Sequence, residues 1–428
     1  MGNLRKFISF IFLIIFAQIA IPQELKNEDL NIIVDNANRF AFELYSKIKD
    51  YKNYKSNNLF LSPYSISTAV AMAYVGAKGK TAEEISSVFH FTFPQEKFHT
   101  LFSKLISLTY EEKKCQLIVS NAIWGQKDYG WLKEFLYILE KYYMAPLKEV
   151  DFRSTPEEAR NTINKWVEEK TKEKIKNLLP QGSINHLTRM VLTNAIYFKG
   201  DWEYKFSKEE TKDMPFFISA ENKIMVPMMH QKVSSGKGKF KYAKTKFKSK
   251  QNEKEILVEV LQLPYVGEEI CMIILLPENI DGAIEILEDE LNGEKFNKIL
   301  KDLRPTKQLF NEVEIYLPKF KITQQFNLNP ILSSMGMETP FLPNKADFSG
   351  MNGKKDLYIS LIQHKAFVEV NEEGTEAAAA TGVVIGLTSA APSSKLIFRA
   401  DHPFIFLIMD NRLGTILFMG KLINPITN

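Results

Sequence analysis

The sequence predicts a single α+β domain, because helical and strand-like patterns both occur and no linker separates them. Before about residue 188, apolar residues mostly recur at the helical spacing of three or four positions. After it, short runs rich in valine, isoleucine and phenylalanine alternate with glycine, proline and asparagine, as is typical of strands. No stretch rich in proline, glycine or serine divides the halves, so both kinds of element are expected to share one core.

Helix signals are concentrated before residue 188 and return in two later segments. Ser62 followed by Pro63 is a typical helix start, since serine caps the first N–H groups and proline suits the first turn. TAEE (81–84) and TPEE (155–158) have the spacing of a capping box, which predicts two more helix starts. The remaining helix predictions cover residues 30–48, 282–303 and 327–335.

Nine short strand-like runs, rich in β-branched and aromatic residues, follow residue 188. The last two flank the polar turn DNRLG (410–414) and predict an antiparallel hairpin. The runs are RMVLTNAIYF, KIMVPMM, ILVEVLQLPY, CMIILLP, EVEIYLPKF, AFVEV, KLIFRA, FIFLIM and TILFMG.

The first 21 residues are expected to be a signal peptide that is removed. Arg5 and Lys6 precede the apolar run FISFIFLIIFAQIAI (7–21), which is short for a membrane span and has the charged start of a secretory signal. No later stretch is long and apolar enough to cross a bilayer. The sequence therefore predicts a secreted, extracellular protein with one mature domain, residues 22–428, and no membrane partner.

The charge and the cysteines exclude further classes. The formal net charge of +4 would fall by two, to +2, on loss of Arg5 and Lys6, and a nucleic-acid partner requires a strongly basic face. No nucleic-acid partner is therefore expected. Cys115 and Cys271 lie in strand-like apolar runs and are expected to be buried thiols, since a chain this large needs no disulfide.

No catalytic motif is found in the sequence. GxSxG, HExxH, CxxC and phosphate-loop patterns are absent, and the six histidines never pair at metal-ligand spacing. His364 lies in an apolar run, where a core histidine with hydrogen-bond partners is the default interpretation. The sequence therefore predicts neither an enzyme nor a metal or cofactor site.

One segment carries a local excess of positive charge, with nine lysines between Gln231 and Glu255. One interpretation is a solvated loop followed by an edge strand with lysines on its outer face. The other is a site for an anionic polymer, such as a sulfated glycosaminoglycan that would modulate activity. The candidate polyanion-binding residues are Lys237, Lys239, Lys241, Lys244, Lys246, Lys248 and Lys250.

The stretch GTEAAAATG (374–382) is the most unusual part of the sequence. Alanine is a good helix former and a poor strand former, so composition by itself favours a short helix capped by Thr375. In a strand, successive side chains would alternate between two faces. One face would carry Thr375, Ala377, Ala379 and Thr381, and the other Glu376, Ala378 and Ala380.

Ten segments, in this order along nearly the whole mature chain, resemble the serpin family. They are NLFLSPYSISTAVAMAYVGAKGKTAEEI (58–85), NAIWGQKDY (121–129), INKWVEEKTKEKIKNLLPQGSI (163–184), TRMVLTNAIYFKGDW (188–202), VPMM (226–229), LQLPY (261–265), LPKFKI (317–322), HKAFVEVNEEGTEAAAATG (364–382), ADHPFIFLI (400–408) and ILFMGKLINP (416–425).

The resemblance implies a serpin fold, one domain with three β-sheets, about eight or nine helices and an exposed reactive loop at about 372–395. It also implies a function as a suicide inhibitor of serine proteases. The protease would cleave the loop, and the freed hinge would insert as a new strand while the distorted protease stayed covalently attached. A monomer is expected. The alternative is a non-inhibitory serpin that acts as a carrier, storage protein or chaperone.

In this context the alanine-rich stretch is interpreted as the hinge, which must enter a closed sheet as a strand. A large or charged side chain on its buried face would cost several kcal/mol through overpacking or desolvation. This hinge has neither proline nor charge on that face, which favours inhibition. The hinge residues implied are Glu372, Gly374, Thr375, Glu376, Ala377, Ala378, Ala379, Ala380 and Thr381.

The resemblance also implies roles for individual residues. Ser62, Asn194 and His364 match the family's shutter, and Trp202 and Glu372 match the breach where insertion begins. Two features depart from the family. The lysine-rich segment before LQLPY is longer than usual, and residues 96–114 mix lysines with glutamates, so a heparin-binding helix is not supported there.

The position of the cleaved bond predicts the target. The spacing that the resemblance implies, counted from the hinge glycine Gly374, puts it at Thr388–Ser389, with Leu387–Thr388 as the alternative. Threonine suits the small pocket of elastase-like proteases, and leucine suits the deeper apolar pocket of chymotrypsin-like ones. Trypsin-like proteases need a cation before the bond, and the loop has none between Gly374 and Ser394.

Overall fold

The structure is a computed structural model, and it describes residues 27–51, 54–111, 114–234, 238–375 and 394–426. Three predictions fall outside these residues: the signal peptide, the hinge from Glu376 to Thr381, and the cleaved bond among Leu387, Thr388 and Ser389. The predicted polyanion residue Lys237 also lies outside them.

The described residues form ten α-helices, against the eight or nine expected. The helices are α1 Asn27–Lys49, α2 Pro63–Tyr74, α3 Gly79–Phe89, α4 Gln95–Tyr110, α5 Lys133–Tyr143, α6 Pro156–Lys170, α7 Ala283–Glu290, α8 Gly293–Asp302, α9 Asn329–Ser334 and α10 Ser349–Asn352. The two shortest, α9 and α10, have six and four residues. The predicted helix 282–303 is divided into α7 and α8, which are separated by Leu291 and Asn292.

Strands form three sheets, which confirms the predicted α+β class. The strands are β1 Leu59–Leu61, β2 Gln116–Gln126, β3 Lys148–Val150, β4 Met190–Asp201, β5 Lys212–Phe217, β6 Lys223–Ser234, β7 Lys241–Lys248, β8 Glu255–Pro264, β9 Ile270–Pro277, β10 Arg304–Pro305, β11 Glu312–Pro318, β12 Phe320–Asn327, β13 Leu361–Asn371, β14 Gly374–Thr375, β15 Lys395–Arg399, β16 Phe404–Asp410 and β17 Thr415–Leu422.

The three sheets have seven, six and four strands. Their orders are β1-β17-β16-β9-β8-β7-β10, β12-β13-β14-β4-β2-β3 and β15-β11-β6-β5. β16 and β17 form the predicted antiparallel hairpin across the turn 410–414. None of the helices in the described ranges combines the length and the apolar character that crossing a bilayer requires.

The N-terminal helix starts were predicted with mixed success. Ser62 caps α2 as expected, since its hydroxyl accepts a hydrogen bond from the Ser65 N–H at 3.2 Å. The helix predicted at TAEE is present as α3, but its predicted start and cap were wrong, because α3 begins at Gly79 and the Thr81 hydroxyl accepts from the Asp347 N–H at 2.8 Å. α6 begins at Pro156 as predicted, but Thr155 makes no side-chain capping bond. Long-range partners of this kind are not visible in local spacing.

The two faces of the six-stranded sheet pack against different layers. On one face, Leu192, Ile196 and Phe198 of β4 belong to the main core, which extends to the seven-stranded sheet. α2 lies in this core and is buried along its whole length, including its polar residues Ser65, Ser67 and Thr68. On the other face, Ala195 and Tyr197 pack with α6 and the segment that follows it.

Both cysteines are buried and neither forms a disulfide, which confirms the prediction for them. Burial raises the pKa of the Cys271 thiol to about 12. This thiol therefore stays protonated at neutral pH, and a protonated thiol is a poor nucleophile.

A buried ion pair joins three elements of the main core. The Lys421 ammonium of β17 lies 3.0 Å from the Glu288 carboxylate of α7, with only 1% and 5% of the two side chains exposed. The Tyr45 hydroxyl of α1 donates to the same carboxylate at 2.7 Å. Burial raises the pKa of Glu288 against the opposing charge of Lys421.

Replacing Glu288 by glutamine should destabilise the fold by about 3–5 kcal/mol, because it leaves the Lys421 charge buried without a counter-ion. Urea unfolding at pH 7.5 measures the change. The control is Glu255→Gln, which breaks the exposed Lys246–Glu255 pair and should cost about 0–1 kcal/mol. Equal losses for the two variants would contradict this prediction.

Candidate functional site

The candidate site lies in the middle of the six-stranded sheet, at the seam between β13 and β4. The two strands pair in parallel from Leu361 opposite Val191 to Phe367 opposite Tyr197. Beyond Phe367 they separate, and β14 lies between them, antiparallel to both. Thr375 is opposite Val370 on one side and Gly200 on the other. The sheet is therefore already open by two residues at this end.

The turn into β14 is a hairpin with a two-residue loop, Glu372 and Glu373. The Asn371 side-chain oxygen accepts from the N–H groups of Glu373 and Gly374 at 3.0 and 3.3 Å. Gly374 has a φ of 150°, and a Cβ there would lie 2.1 Å from the Gly200 carbonyl oxygen. Only glycine allows the chain to enter the seam at this position.

Thr375 is fully buried and contacts Tyr265, which stacks on Trp202. Its hydroxyl lies 2.8 Å from the Tyr265 hydroxyl. Tyr265 stacks on Trp202 with ring centroids 4.6 Å apart, and the Trp202 indole N–H donates to the Asn371 carbonyl at 3.0 Å. Burial raises the pKa of Tyr265 well above its usual range, so its hydroxyl stays protonated. Trp202, the predicted breach residue, therefore lies beside the hinge.

Glu372, the first residue of the hairpin loop, is held by an ion pair. Its carboxylate lies 2.9 Å from the Lys319 ammonium and accepts from the Thr211 hydroxyl at 2.9 Å. Burial works to raise the pKa of Glu372, but the Lys319 and Thr211 bonds outweigh it and hold the pKa below its usual value. Its backbone carbonyl accepts from the Phe206 N–H at 2.9 Å. Both the side chain and the backbone of Glu372, the first predicted hinge residue, are therefore held in place.

The predicted shutter residues come together under the closed part of the seam. His364 of β13 is opposite Asn194 of β4, and an imidazole nitrogen contacts the Asn194 side-chain oxygen. The other imidazole nitrogen accepts from the Ser62 N–H at 3.2 Å. All three residues are fully buried, and burial lowers the pKa of His364 to about 3. The cluster is thus a neutral polar layer within an apolar core.

Sequence reasoning missed several residues of this site. Tyr265 and Lys319 lie in LQLPY and LPKFKI, two segments that carry the family resemblance, but no local signal connects either of them to the hinge. Ser65 and Asn121 join the cluster of predicted shutter residues by accepting hydrogen bonds from the Asn194 amide. These contacts join residues that are far apart in the chain, so spacing could not identify them.

The lysine-rich segment is largely paired with carboxylates. Along β7, Lys244 and Lys246 lie 2.5 and 2.6 Å from Glu278 and Glu255, and Lys248 contacts Glu253. Lys239 contacts Glu268, Lys250 lies 3.6 Å from Glu290, and Lys241 is exposed. These partners offset most of the local excess of positive charge. A glycosaminoglycan site here stays a prediction.

Lys395, the last residue of the predicted loop and the first cation after Gly374, is held in a sheet. It begins β15, and its ammonium contacts Glu314 and lies 3.4 Å from Glu312. In the described ranges, no group of histidine, cysteine and carboxylate side chains is arranged to hold a metal ion.

A protein with three sheets of seven, six and four strands, and a two-residue strand between β13 and β4, belongs to the serpin class by fold. A family model described as serpin, serine protease inhibitor, matches residues 35–425. The chain belongs to the serpin family.

Three similar proteins extend this result. Human leukocyte elastase inhibitor is 41% identical over 391 residues, which cover 90% of this chain and 98% of that protein. Uncleaved ovalbumin is 31% identical, with a TM-score of 0.78 and coverage of 92% and 100%. Human thyroxine-binding globulin in complex with thyroxine is 29% identical, with a TM-score of 0.79 and coverage of 93% and 100%. The comparisons support a protease-inhibitor role.

Acid should destabilise the protein through His364. The folded state holds its pKa at about 3, whereas an exposed histidine has a pKa of about 6.5. The unfolded chain therefore binds an additional proton, and the free energy of unfolding falls as the pH drops from about 6.5 towards 3. At pH 5 the expected loss is about 2 kcal/mol, at about 1.36 kcal/mol for each pH unit.

Urea unfolding between pH 7.5 and pH 5 measures this dependence, and His364→Gln should have a shallower pH slope than the wild type. Comparison of slopes rather than absolute stabilities corrects for the cost of the substitution itself. His99, whose pKa burial lowers to about 4, contributes equally to both slopes. Identical slopes for the two proteins would show that His364 does not contribute.

Proposed function

We propose that the protein is a suicide inhibitor of serine proteases. The protease serine attacks the reactive bond, the new amino terminus leaves, and an acyl ester joins the inhibitor to the protease. The freed hinge then inserts between β13 and β4 and distorts the attached protease before water can hydrolyse the ester. The observation that carries this proposal is β14, which already occupies the first two positions of the inserted strand.

Extending the register of β14 gives the positions of the inserted hinge. Thr375 is opposite Gly200 and Val370, so each further residue would be opposite the preceding residue of both β4 and β13. Thr381 would then lie between Asn194 and His364. The intermediate positions on this face are Ala377 between Phe198 and Val368, and Ala379 between Ile196 and Ala366.

The extended register explains the small side chains of the hinge. Phe198, Val368, Ile196 and Ala366 all belong to the main core, so Ala377 and Ala379 would enter a region that is already densely packed. Larger side chains would overpack it, at a typical cost of about 1–3 kcal/mol each. The insertion would also replace one parallel pairing by two antiparallel ones, which are slightly more stable per residue. Both effects favour insertion once the loop is free.

Elastase- or chymotrypsin-like proteases are the proposed targets. The loop offers threonine or leucine before the candidate bonds and has no cation between Gly374 and Ser394. Lys395 is engaged by Glu312 and Glu314 in the four-stranded sheet, which keeps it from presenting a trypsin site. The similar human protein is named as an inhibitor of leukocyte elastase, which supports the same choice. The apolar run 7–21 supports secretion as the route to an extracellular target.

A carrier function is the alternative, because thyroxine-binding globulin shares the fold and was solved with thyroxine bound. The hinge separates the two functions: a carrier does not require small side chains on the buried face, whereas an inhibitor does.

Mixed with elastase or chymotrypsin, the protein should form a complex that survives boiling in detergent, because the link is an ester. Thr375→Arg should abolish this complex and leave cleaved inhibitor and active protease, since the inserted strand can form only if the arginine is buried beside Tyr265, where Thr375 already lies. Denaturing electrophoresis and residual protease activity measure both results.

The matched control is Glu376→Arg, which places the same side chain one position further, on the proposed outer face, and should retain the complex. Absence of a covalent complex across a broad panel of serine proteases would refute the inhibitory function. Full inhibition by Thr375→Arg would refute the proposed insertion.

The mass of the released C-terminal fragment should identify the reactive bond. We expect elastase to release a fragment that starts at Ser389 and chymotrypsin one that starts at Thr388, in agreement with the sizes of their pockets. An apolar pocket separates similar side chains by only about 1–3 kcal/mol, so some overlap is expected.

Thr388→Arg provides the control for specificity, because it should add trypsin to the inhibited proteases. A wild-type fragment that starts at Leu396, together with rapid covalent trapping of trypsin, would overturn the specificity proposed for the loop.

A further inference from the structure

Glu373, the second residue of the hairpin loop, is held by two lysines on the loop that follows β4. Its carboxylate oxygens lie 2.8 Å from the Lys205 ammonium and 3.1 Å from the Lys208 ammonium, and only 8% of its side chain is exposed. Lys205 also lies 3.2 Å from Asp201 at the end of β4. The bond from Lys205 is the main reason why the pKa of Glu373 is lowered.

The backbone of Glu373 is fixed as well. Its N–H donates to the Asn371 side chain at 3.0 Å, and its carbonyl accepts from the Trp202 N–H at 2.8 Å. Trp202 directly follows β4 and the two lysines come shortly after it, while Glu373 is the second residue after β13. The contacts of Glu373 therefore join the two strands that border the seam, at the point where β14 enters.

Without these cations the turn would be electrostatically unfavourable. Glu372 and Glu373 are adjacent carboxylates with 6% and 8% of their side chains exposed, and like charges repel more strongly where water is excluded. Lys319 neutralises the first carboxylate, and Lys205 and Lys208 neutralise the second. The cations thus allow a tight hairpin turn to persist before any cleavage occurs.

We propose that Lys205, Glu373 and Lys208 form a clamp that holds the hinge turn in its inserted geometry and thereby speeds insertion. The inference rests on the proposed function and adds positioning residues to it. With the turn already closed, insertion only extends an existing hairpin and avoids the entropy of closing a new loop.

Insertion competes with hydrolysis of the acyl ester, so the clamp affects a measurable ratio. Each acyl-enzyme either inserts its hinge and is trapped, or reacts with water and releases cleaved inhibitor. The number of inhibitor molecules consumed per trapped protease is therefore one plus the ratio of the hydrolysis rate to the insertion rate. A slower insertion raises this number without changing the initial cleavage.

Glu373→Gln tests the clamp, with pancreatic elastase and chymotrypsin as probes. We expect the excess of consumed inhibitor over trapped protease to rise roughly fivefold or more, as a modest loss of preorganisation would produce. The matched control is Glu255→Gln, which removes a lysine-paired glutamate from the seven-stranded sheet and should not change the ratio. An unchanged ratio in Glu373→Gln would overturn the proposal.

A double-mutant cycle separates the clamp from a general loss of stability. The variant Lys205→Gln/Lys208→Gln should raise the ratio at least as much as Glu373→Gln, because it also leaves the buried Glu373 carboxylate without its cations. The triple variant should be no worse than Glu373→Gln, because both lack the same ionic interaction. Added salt should raise the consumed ratio of the wild type more than that of Glu373→Gln, since the lysines are partly exposed and screened. Additive effects with equal salt dependence would overturn the proposal.

Hydrogen exchange tests the clamp independently of inhibition. The Trp202 N–H, which donates to Glu373, should exchange several-fold faster in Glu373→Gln than in the wild type, and Lys208→Gln serves as the milder variant if folding is impaired. A wild type that traps no protease would refute the proposed function. Unchanged exchange at Trp202 would refute the clamp, whether or not the wild type inhibits.

Discussion

The seam between β13 and β4 is the constraint on which the rest of the structure depends. Its parallel pairing closes the six-stranded sheet from Leu361 to Phe367, and its far end admits two residues of a further strand. Entry is possible only because position 374 has no side chain, since a Cβ would lie 2.1 Å from the Gly200 carbonyl. The surrounding contacts of Asn371, Trp202 and Tyr265 all hold the chain at this entry point.

Polar groups at the entry of the seam form ion pairs, whereas those deeper in the sheet form neutral hydrogen bonds. At the entry, Glu372 and Glu373 are charged and paired with lysines that reach the surface. Deeper in the sheet, His364 and Asn194 form a neutral cluster, because burial lowers the pKa of the imidazole to about 3. In the proposed register the Thr381 hydroxyl would reach this cluster and offer a replacement partner when the strands separate. An apolar side chain there would leave buried polar groups unsatisfied.

The lysine-rich segment shows how tertiary structure changes the meaning of a local charge excess. The sequence has nine lysines between Gln231 and Glu255, which suggested either an edge strand or a polyanion site. In the fold, β7 pairs with β8, and the glutamates that contact its lysines include Glu255 of β8 and Glu278, which directly follows β9. The net charge of a stretch of sequence therefore overestimates the net charge of the surface that this stretch forms in the fold. Lys205, Lys208 and Lys319 show the opposite case. No local charge excess marks these lysines in the sequence, and only the fold brings them to Glu372 and Glu373.

The sequence by itself determined the α+β class, the α2 start at Ser62, the C-terminal hairpin and the family, because these depend on local periodicity and on an ordered set of motifs. Composition alone favoured a helix for residues 374–382, and the strand was predicted only with the help of the family resemblance. The sequence also misplaced the start of α3. Only the tertiary structure showed that Gly374 and Thr375 form a strand, because their partners, Gly200 and Val370, come from separate strands. Glycine has little conformational preference of its own, so at Gly374 and Thr375 the bordering strands, rather than local propensity, select the extended conformation.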